Sequence, residues 1–262
     1  MPLRSIPDAL AFSSLLAAAI GFALSTVASL ALNATNGLHW ALLTSAGAFV
    51  IYNLDRLRDT SRDLSTSPNR TAFIERHRSP LTLAVAAASI LFGGLLFAAP
   101  RDVVLLCVAV GVIGLFHRRI KHASAFKAVY VSLAWVAACV GIPALARPGD
   151  PLAADSLWAA GILAAALLAN LVASNVRDGE AQFEPTRPDR ALDFARVCAL
   201  VGIGLAFGAP RAVAPLGWIA LAELLALLPF QKGERYGLLV IDGALLVGSL
   251  AAAAHLLATT SA

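Results

Sequence analysis

Charge is scarce in this chain. Only 14% of its 262 residues are Asp, Glu, Lys or Arg, against roughly 25% in a soluble globular domain. Residues 9 to 54 contain none. Lysine is rarer still, with three residues against 17 arginines. There are three cysteines, Cys107, Cys139 and Cys198, each inside an apolar run and without metal-ligand spacing. That argues against a disulfide-stapled scaffold and reads as packing. No glycine-rich phosphate loop appears, and no Ser/His/Asp or Cys/His spacing suggests a hydrolase. Apolar residues take the place of charge: 59% of the chain is hydrophobic and its mean hydropathy is +0.77. This argues against a soluble enzyme and against a disordered chain. The excess is spread over the whole length, so the fold class is all-α, a polytopic membrane protein forming a single domain over residues 1–262.

The pattern divides into nine spans. The uncharged run 9–54 is long enough for two helices of about 20 residues each. Asn33-Ala34-Thr35-Asn36-Gly37 splits it. Later spans fall at 79–99, 103–116, 128–146, 156–176, 191–208, 212–230 and 237–258. The fourth and seventh are short. With alternating sides, the N-terminus and the even-numbered connections carry 17 of the 20 Lys and Arg residues. The other side carries only Arg101, Arg147 and Arg211. Positive charge stays in the cytoplasm, which puts the N-terminus inside and the C-terminus outside. An Arg- and Ala-rich composition suggests a bacterial inner membrane. The basic balance is read as cytoplasmic loops facing anionic lipid, with no nucleic-acid partner.

Two acidic clusters interrupt the apolar pattern. Asp55, Asp59 and Asp63 follow the second span at intervals of four, which stacks them on one helical face. Interleaved arginines allow a salt-bridged helix end. The alternative is a divalent cation, which takes hard oxygen ligands and is often shared between carboxylates and a substrate phosphate. The second cluster closes the sixth span, where Asn170, Ser174, Arg177 and Asp178 share roughly one face. Polar groups at such depth need partners, either on neighbouring helices or in a polar cavity. The two clusters lie on the same predicted side, four spans apart, so they read as one site between two helical halves. Glu223 and Asp242 are the acids well inside later spans, suited to an ion relay or to pairing between helices.

At these residues the sequence resembles the UbiA superfamily of intramembrane prenyltransferases. That family implies nine membrane helices and two cytoplasm-facing Asp-rich motifs that bind Mg²⁺ and a polyprenyl diphosphate. Its first motif, N-D-x-x-D-x-x-x-D with a following basic stretch, resembles Asn53 to Asp63 and then Ser67-Pro68-Asn69-Arg70. Its second, N-D-x-R-D-x-x-x-D, is similar to Asn175-Val176-Arg177-Asp178-Gly179-Glu180-Ala181-Gln182. The chain departs from the pattern at Leu54, at the spacing of the first aspartates, and at Gln182.

The resemblance implies Mg²⁺-dependent transfer of a polyprenyl group to a small, lipid-soluble, aromatic acceptor. It assigns Asp55, Asp59 and Asp178 as catalytic metal ligands, with Asp63 and Glu180 behind them. It assigns Asn53, Arg70, Arg118, Arg119, Lys121, Lys127, Asn170, Asn175, Arg177 and Arg187 to substrate binding. An allylic cation would be sheltered by aromatics, for which Tyr52, Phe116, Tyr130 and Trp135 have suitable depth. Trp40, Trp158 and Trp218 read as interfacial anchors. A transporter, a lipid-binding membrane protein and a catalytically weakened family member are the alternatives. The sequence leaves oligomeric state open.

Overall fold

The computed structural model describes residues 6–58, 67–120, 127–178 and 188–260. The described residues are almost entirely helical and contain no strand. In chain order the helices are α1 (Ile6–Phe12), α2 (Leu15–Ala31), α3 (Gly37–Arg58), α4 (Pro68–Arg76), α5 (Arg78–Phe97), α6 (Arg101–Ile120), α7 (Lys127–Val136), α8 (Ile142–Ala146), α9 (Ala154–Arg177), α10 (Pro188–Gly208), α11 (Gly217–Leu227) and α12 (Asp242–Thr260). Two π-helical turns interrupt the regular pitch. Ala137–Gly141 joins α7 to α8, and Tyr236–Ile241 leads into α12.

Each predicted apolar segment is helical. Among the described residues, five helices, fewer than the nine spans expected, are long and apolar enough to cross a membrane: Arg78–Phe97, Lys127–Ala146, Ala154–Arg177, Asp189–Gly208 and Tyr236–Thr259. Leu15–Ala31 and Ala214–Leu227 are shorter apolar helices. α3 and α6 have 22 and 20 residues and end in charged turns. The segment expected to be short at 103–116 is longer, because the helix runs on through Arg101, Asp102, Arg118 and Arg119. Backbone hydrogen bonding does not stop where hydropathy falls.

The turn between α2 and α3 lies where the sequence places it. Asn33 and Asn36 take left-handed φ values of 54° and 56°, a conformation that asparagine tolerates better than most residues. α1 and α2 are separated by Ser14, also left-handed at φ 63°.

The main core joins α2, α9, α11, α12 and the Ala137–Gly141 turn around Leu24, Ile162, Leu163, Leu216 and Ile219, all fully buried. Lipid offers no hydrophobic drive for helices to associate, so close contact of small residues carries the packing. A Cβ on Gly248 would lie 2.8 Å from the Trp218 carbonyl oxygen, and one on Gly202 would lie 2.8 Å from Ala220 Cβ. These glycines set how closely α12 and α10 approach α11. α5 lies on the outside, with Leu83, Ile90 and Phe97 exposed by 72%, 77% and 94%. Such apolar exposure suits lipid rather than water.

Trp40 corrects one expectation. It is 4% exposed, and its Nε1 donates to the Thr35 carbonyl at 2.6 Å. It is a core residue that fastens the α2–α3 turn, not an interfacial anchor.

Candidate functional site

The ends of α3 and α9 meet at one cavity of about 550 Å³. α3 contributes Tyr52, Asp55 and Arg56. α4 adds Arg70, and α7 adds Lys127, Tyr130 and Trp135. α9 contributes Asn170, Ser174, Asn175 and Arg177, with Asp178 just beyond its end, and α12 adds Asp242. The remaining wall is apolar, with Leu43, Val50, Phe92, Leu106 and Val110 among its residues. A charged end and a greasy interior thus share one volume. Of the residues selected from sequence, Asp55, Arg70, Lys127, Asn170, Asn175, Arg177 and Asp178 line it.

Two selected residues have only their backbone described: Arg118 and Arg119, in the last turn of α6. Asp59, Asp63, Lys121, Glu180 and Arg187 lie outside the described residues. Phe116 is helical, with its side chain likewise outside the description.

Asn53 is not at the cavity. Its Nδ2 donates to the Ser13 carbonyl at 3.1 Å and to the Phe49 carbonyl at 2.9 Å. Arg56, three residues on, donates from Nη1 to Ser14 Oγ at 2.7 Å and to the Ala11 and Phe12 carbonyls at 3.3 and 3.4 Å. Together they satisfy carbonyls at the C-terminal end of α1, where intrahelical partners run out. The substrate-binding assignment of Asn53 is therefore replaced by a capping role. Arg56 was missed because its distant partners leave no local sequence signal. Its guanidinium also sits 5.8 Å from the centre of the Tyr52 ring.

Aromatic residues form one side of the cavity. Trp135 Nε1 donates to the Tyr52 hydroxyl at 3.0 Å, with ring centroids 5.9 Å apart and an edge-on arrangement. The bond satisfies the polar atoms of both residues and fixes their orientation.

Glu234 fastens the start of α4, the helix that carries the cavity residue Arg70. Its Oε1 accepts from the Arg70 amide at 2.9 Å, and its Oε2 accepts from Asn69 Nδ2 at 3.1 Å. The Arg70 amide is one of the unsatisfied donors in the first turn of α4, and a carboxylate there also suits the helix dipole.

Asp178 forms a two-pronged ion pair with Arg177, from Nε at 2.7 Å and Nη2 at 2.9 Å. The Arg177 side chain is 8% exposed. It lies directly against Gly237 in the second π-helical turn, where any Cβ would collide with it. Asn175 is buried, lines the cavity, and has an Nδ2 without a hydrogen-bond partner. Deeper in, Asn170 Nδ2 faces three acceptors: Glu223 Oε1 at 3.3 Å, the Ile241 carbonyl at 3.2 Å and Asp242 Oδ1 at 3.3 Å. The two later-span acids are thus paired through one amide. Asp242 reaches the cavity, whereas Glu223 is fully buried behind it.

Among the described residues, no group of three or more His, Cys, Asp or Glu side chains is placed to hold a metal. Asp55 and Asp178 still supply a carboxylate pair to the cavity. Each Asp178 oxygen keeps a lone pair after accepting from Arg177. One or two carboxylates, completed by substrate phosphates, is the donor set Mg²⁺ usually takes from a protein. Both side chains are hard oxygen donors of the kind that ion takes. No protein-family model, curated protein or solved structure matches the chain.

Proposed function

We propose that this chain is a nine-span, UbiA-like prenyltransferase of the bacterial inner membrane. It would move a polyprenyl group from a prenyl diphosphate to a small lipophilic, aromatic acceptor. The observation that carries this reading is the convergence of Asp55 and Asp178, from separate acidic clusters, on one cavity with an apolar interior. The orphaned Asn175 Nδ2 adds support, since an oxyanion would satisfy it.

In this reading Arg70, Lys127 and Arg177 hold the diphosphate by charge, Arg offering a planar fork and Lys a point charge. Asp55 and Asp178 would hold Mg²⁺, which offsets negative charge on the departing diphosphate. The bond between donor C1 and oxygen breaks, and its electron pair leaves with pyrophosphate. The acceptor forms the new bond to C1 and releases its proton. Tyr52, Tyr130 and Trp135 present aromatic surface to the allylic cation, and the apolar wall excludes water from it.

The test is pyrophosphate release by the purified protein from a prenyl diphosphate with Mg²⁺. Asp55→Asn and Asp178→Asn should each abolish turnover. Undiminished turnover in both rules out the assigned site.

The Asn170–Glu223–Asp242 cluster favours a second reading, an ion-coupled transporter. Buried acids within membrane helices commonly mark ion paths. Proton-dependent solute flux in liposomes, abolished by Glu223→Gln, would establish it over prenyl transfer.

A further inference from the structure

A second cavity of about 1300 Å³ lies at the opposite end of the bundle, where α2 ends and α3 and α9 begin. We propose that it binds an anionic phospholipid, with the phosphate between Arg147 and Arg211 and an acyl chain along the apolar wall.

The sequence assigns three cations to this side, and two of them, Arg147 and Arg211, line this one cavity. Asp155 is the single acid in its lining, 3.8 Å from Arg147 Nη2. Local charge is therefore positive on a face that is otherwise poor in cations.

Unmet donors give the independent indication. Ser29 is 5% exposed and lines the cavity, and its hydroxyl has no partner. Arg147 Nε is likewise buried and unpartnered, although its Nη1 reaches Ser156 Oγ at 3.4 Å. Buried donors of this kind call for an acceptor. Gly37 leaves space beside the serine, since a Cβ there would press on Ser29 Cβ at 3.0 Å. His255 Nδ1 takes the Trp218 Nε1 hydrogen at 3.2 Å, which leaves its Nε2 as a further donor.

The walls determine the class of ligand. Leu30, Leu38, Phe207 and Leu257 line the cavity and are exposed by 39%, 66%, 89% and 55%. A soluble anion would leave this surface uncovered, whereas a diacyl lipid covers it and brings a phosphate to the arginines. Arginine guanidinium groups match a phosphate through their planar fork, so two of them beside an apolar wall suit a lipid headgroup with its chains. The proposal does not depend on the chemistry at the other end of the bundle.

The experiment is binding by native mass spectrometry on the purified chain in detergent, with phosphatidylglycerol, phosphatidylcholine and inorganic phosphate as separate probes. Phosphatidylglycerol should bind in preference to both others. The double variant Arg147→Gln/Arg211→Gln should weaken it on the order of thirtyfold, at about one factor of five per cation. Arg101→Gln, which removes the third cation of that side, should leave binding unchanged. Equal binding of phosphatidylcholine, tight binding of phosphate alone, or full binding by the double variant would overturn the proposal. If the double variant does not fold, brominated phosphatidylglycerol is added to the unsubstituted chain. It should quench a fluorescence component that is absent in Trp218→Phe and restored by excess unbrominated phosphatidylglycerol. Lack of quenching specific to Trp218 overturns the proposal equally.

Discussion

Gly237 and Arg177 occupy adjoining space, and the guanidinium lies where a side chain on residue 237 would be. The π-helical turn around Gly237 therefore forms the seat of an arginine on another helix. Because Arg177 in turn holds both oxygens of Asp178, a backbone feature near α12 positions a carboxylate at the end of α9.

Replacing Gly237 with alanine should push Arg177 out of this seat. Overpacking of this kind costs about 1–3 kcal/mol. Thermal unfolding in detergent should show a lowered midpoint, and pyrophosphate release should fall. Gly243→Ala is the control, because a Cβ there meets nothing within 4 Å. Equal midpoints in the two variants would contradict the seat.

Asn170→Leu should leave Glu223 and Asp242 without their shared donor. Removing the partner of a buried polar group costs about 1–3 kcal/mol. Glu223→Gln removes one of two neighbouring acids and should be milder. The two substitutions should combine to less than their sum, since they act on one network. Denaturant titration of the three variants measures this directly.

Capping and substrate binding can be separated at Asn53. Asn53→Ala should lower stability by about 1 kcal/mol and leave the donor KM unchanged. Arg56→Lys should be more severe, about 1.5–3 kcal/mol, because the lost hydrogen bonds come from a charged group. A raised KM in Asn53→Ala at unchanged stability would restore its assignment to substrate.

Chelation provides a further test of the proposed chemistry. Pyrophosphate release should fall to background in EDTA and return when Mg²⁺ is added. Asp178→Glu should need more Mg²⁺ for half-maximal rate, since a longer side chain on the same ion pair shifts the donor oxygens. Full activity in EDTA would exclude the metal role of Asp55 and Asp178.

Much of the architecture was legible because apolar runs and their breaks are local signals. Asn33 and Asn36 marked a turn by residue type, and both are left-handed. Asp55 and Asp178, the described carboxylates of the two acidic clusters, line one cavity, and each stands out in the sequence because polar groups at the ends of apolar helices are costly in a bilayer. The capping role of Asn53 was not legible, because motif position gives no hint of the carbonyls it meets on α1. Arg56 and Glu234 were missed for the same reason: their partners are remote in the chain. Asp242 reads from the sequence as an acid inside a late span; its place at the cavity beside Asn170 depends on how α12 packs against α9, which no local pattern reports.

The π-helical turn that leads into α12 has a consequence for evolution and for design. Each residue of an ordinary helix advances about 100° around the axis, and a π-helical turn holds one residue more than regular pitch requires. A single deletion within Tyr236–Ile241 would therefore swing the whole of α12 by roughly that angle. Asp242 would turn away from Asn170, and Gly248 would leave its crossing with α11. The last helix can thus change its inward face by gaining or losing one amino acid, with no substitution along its length.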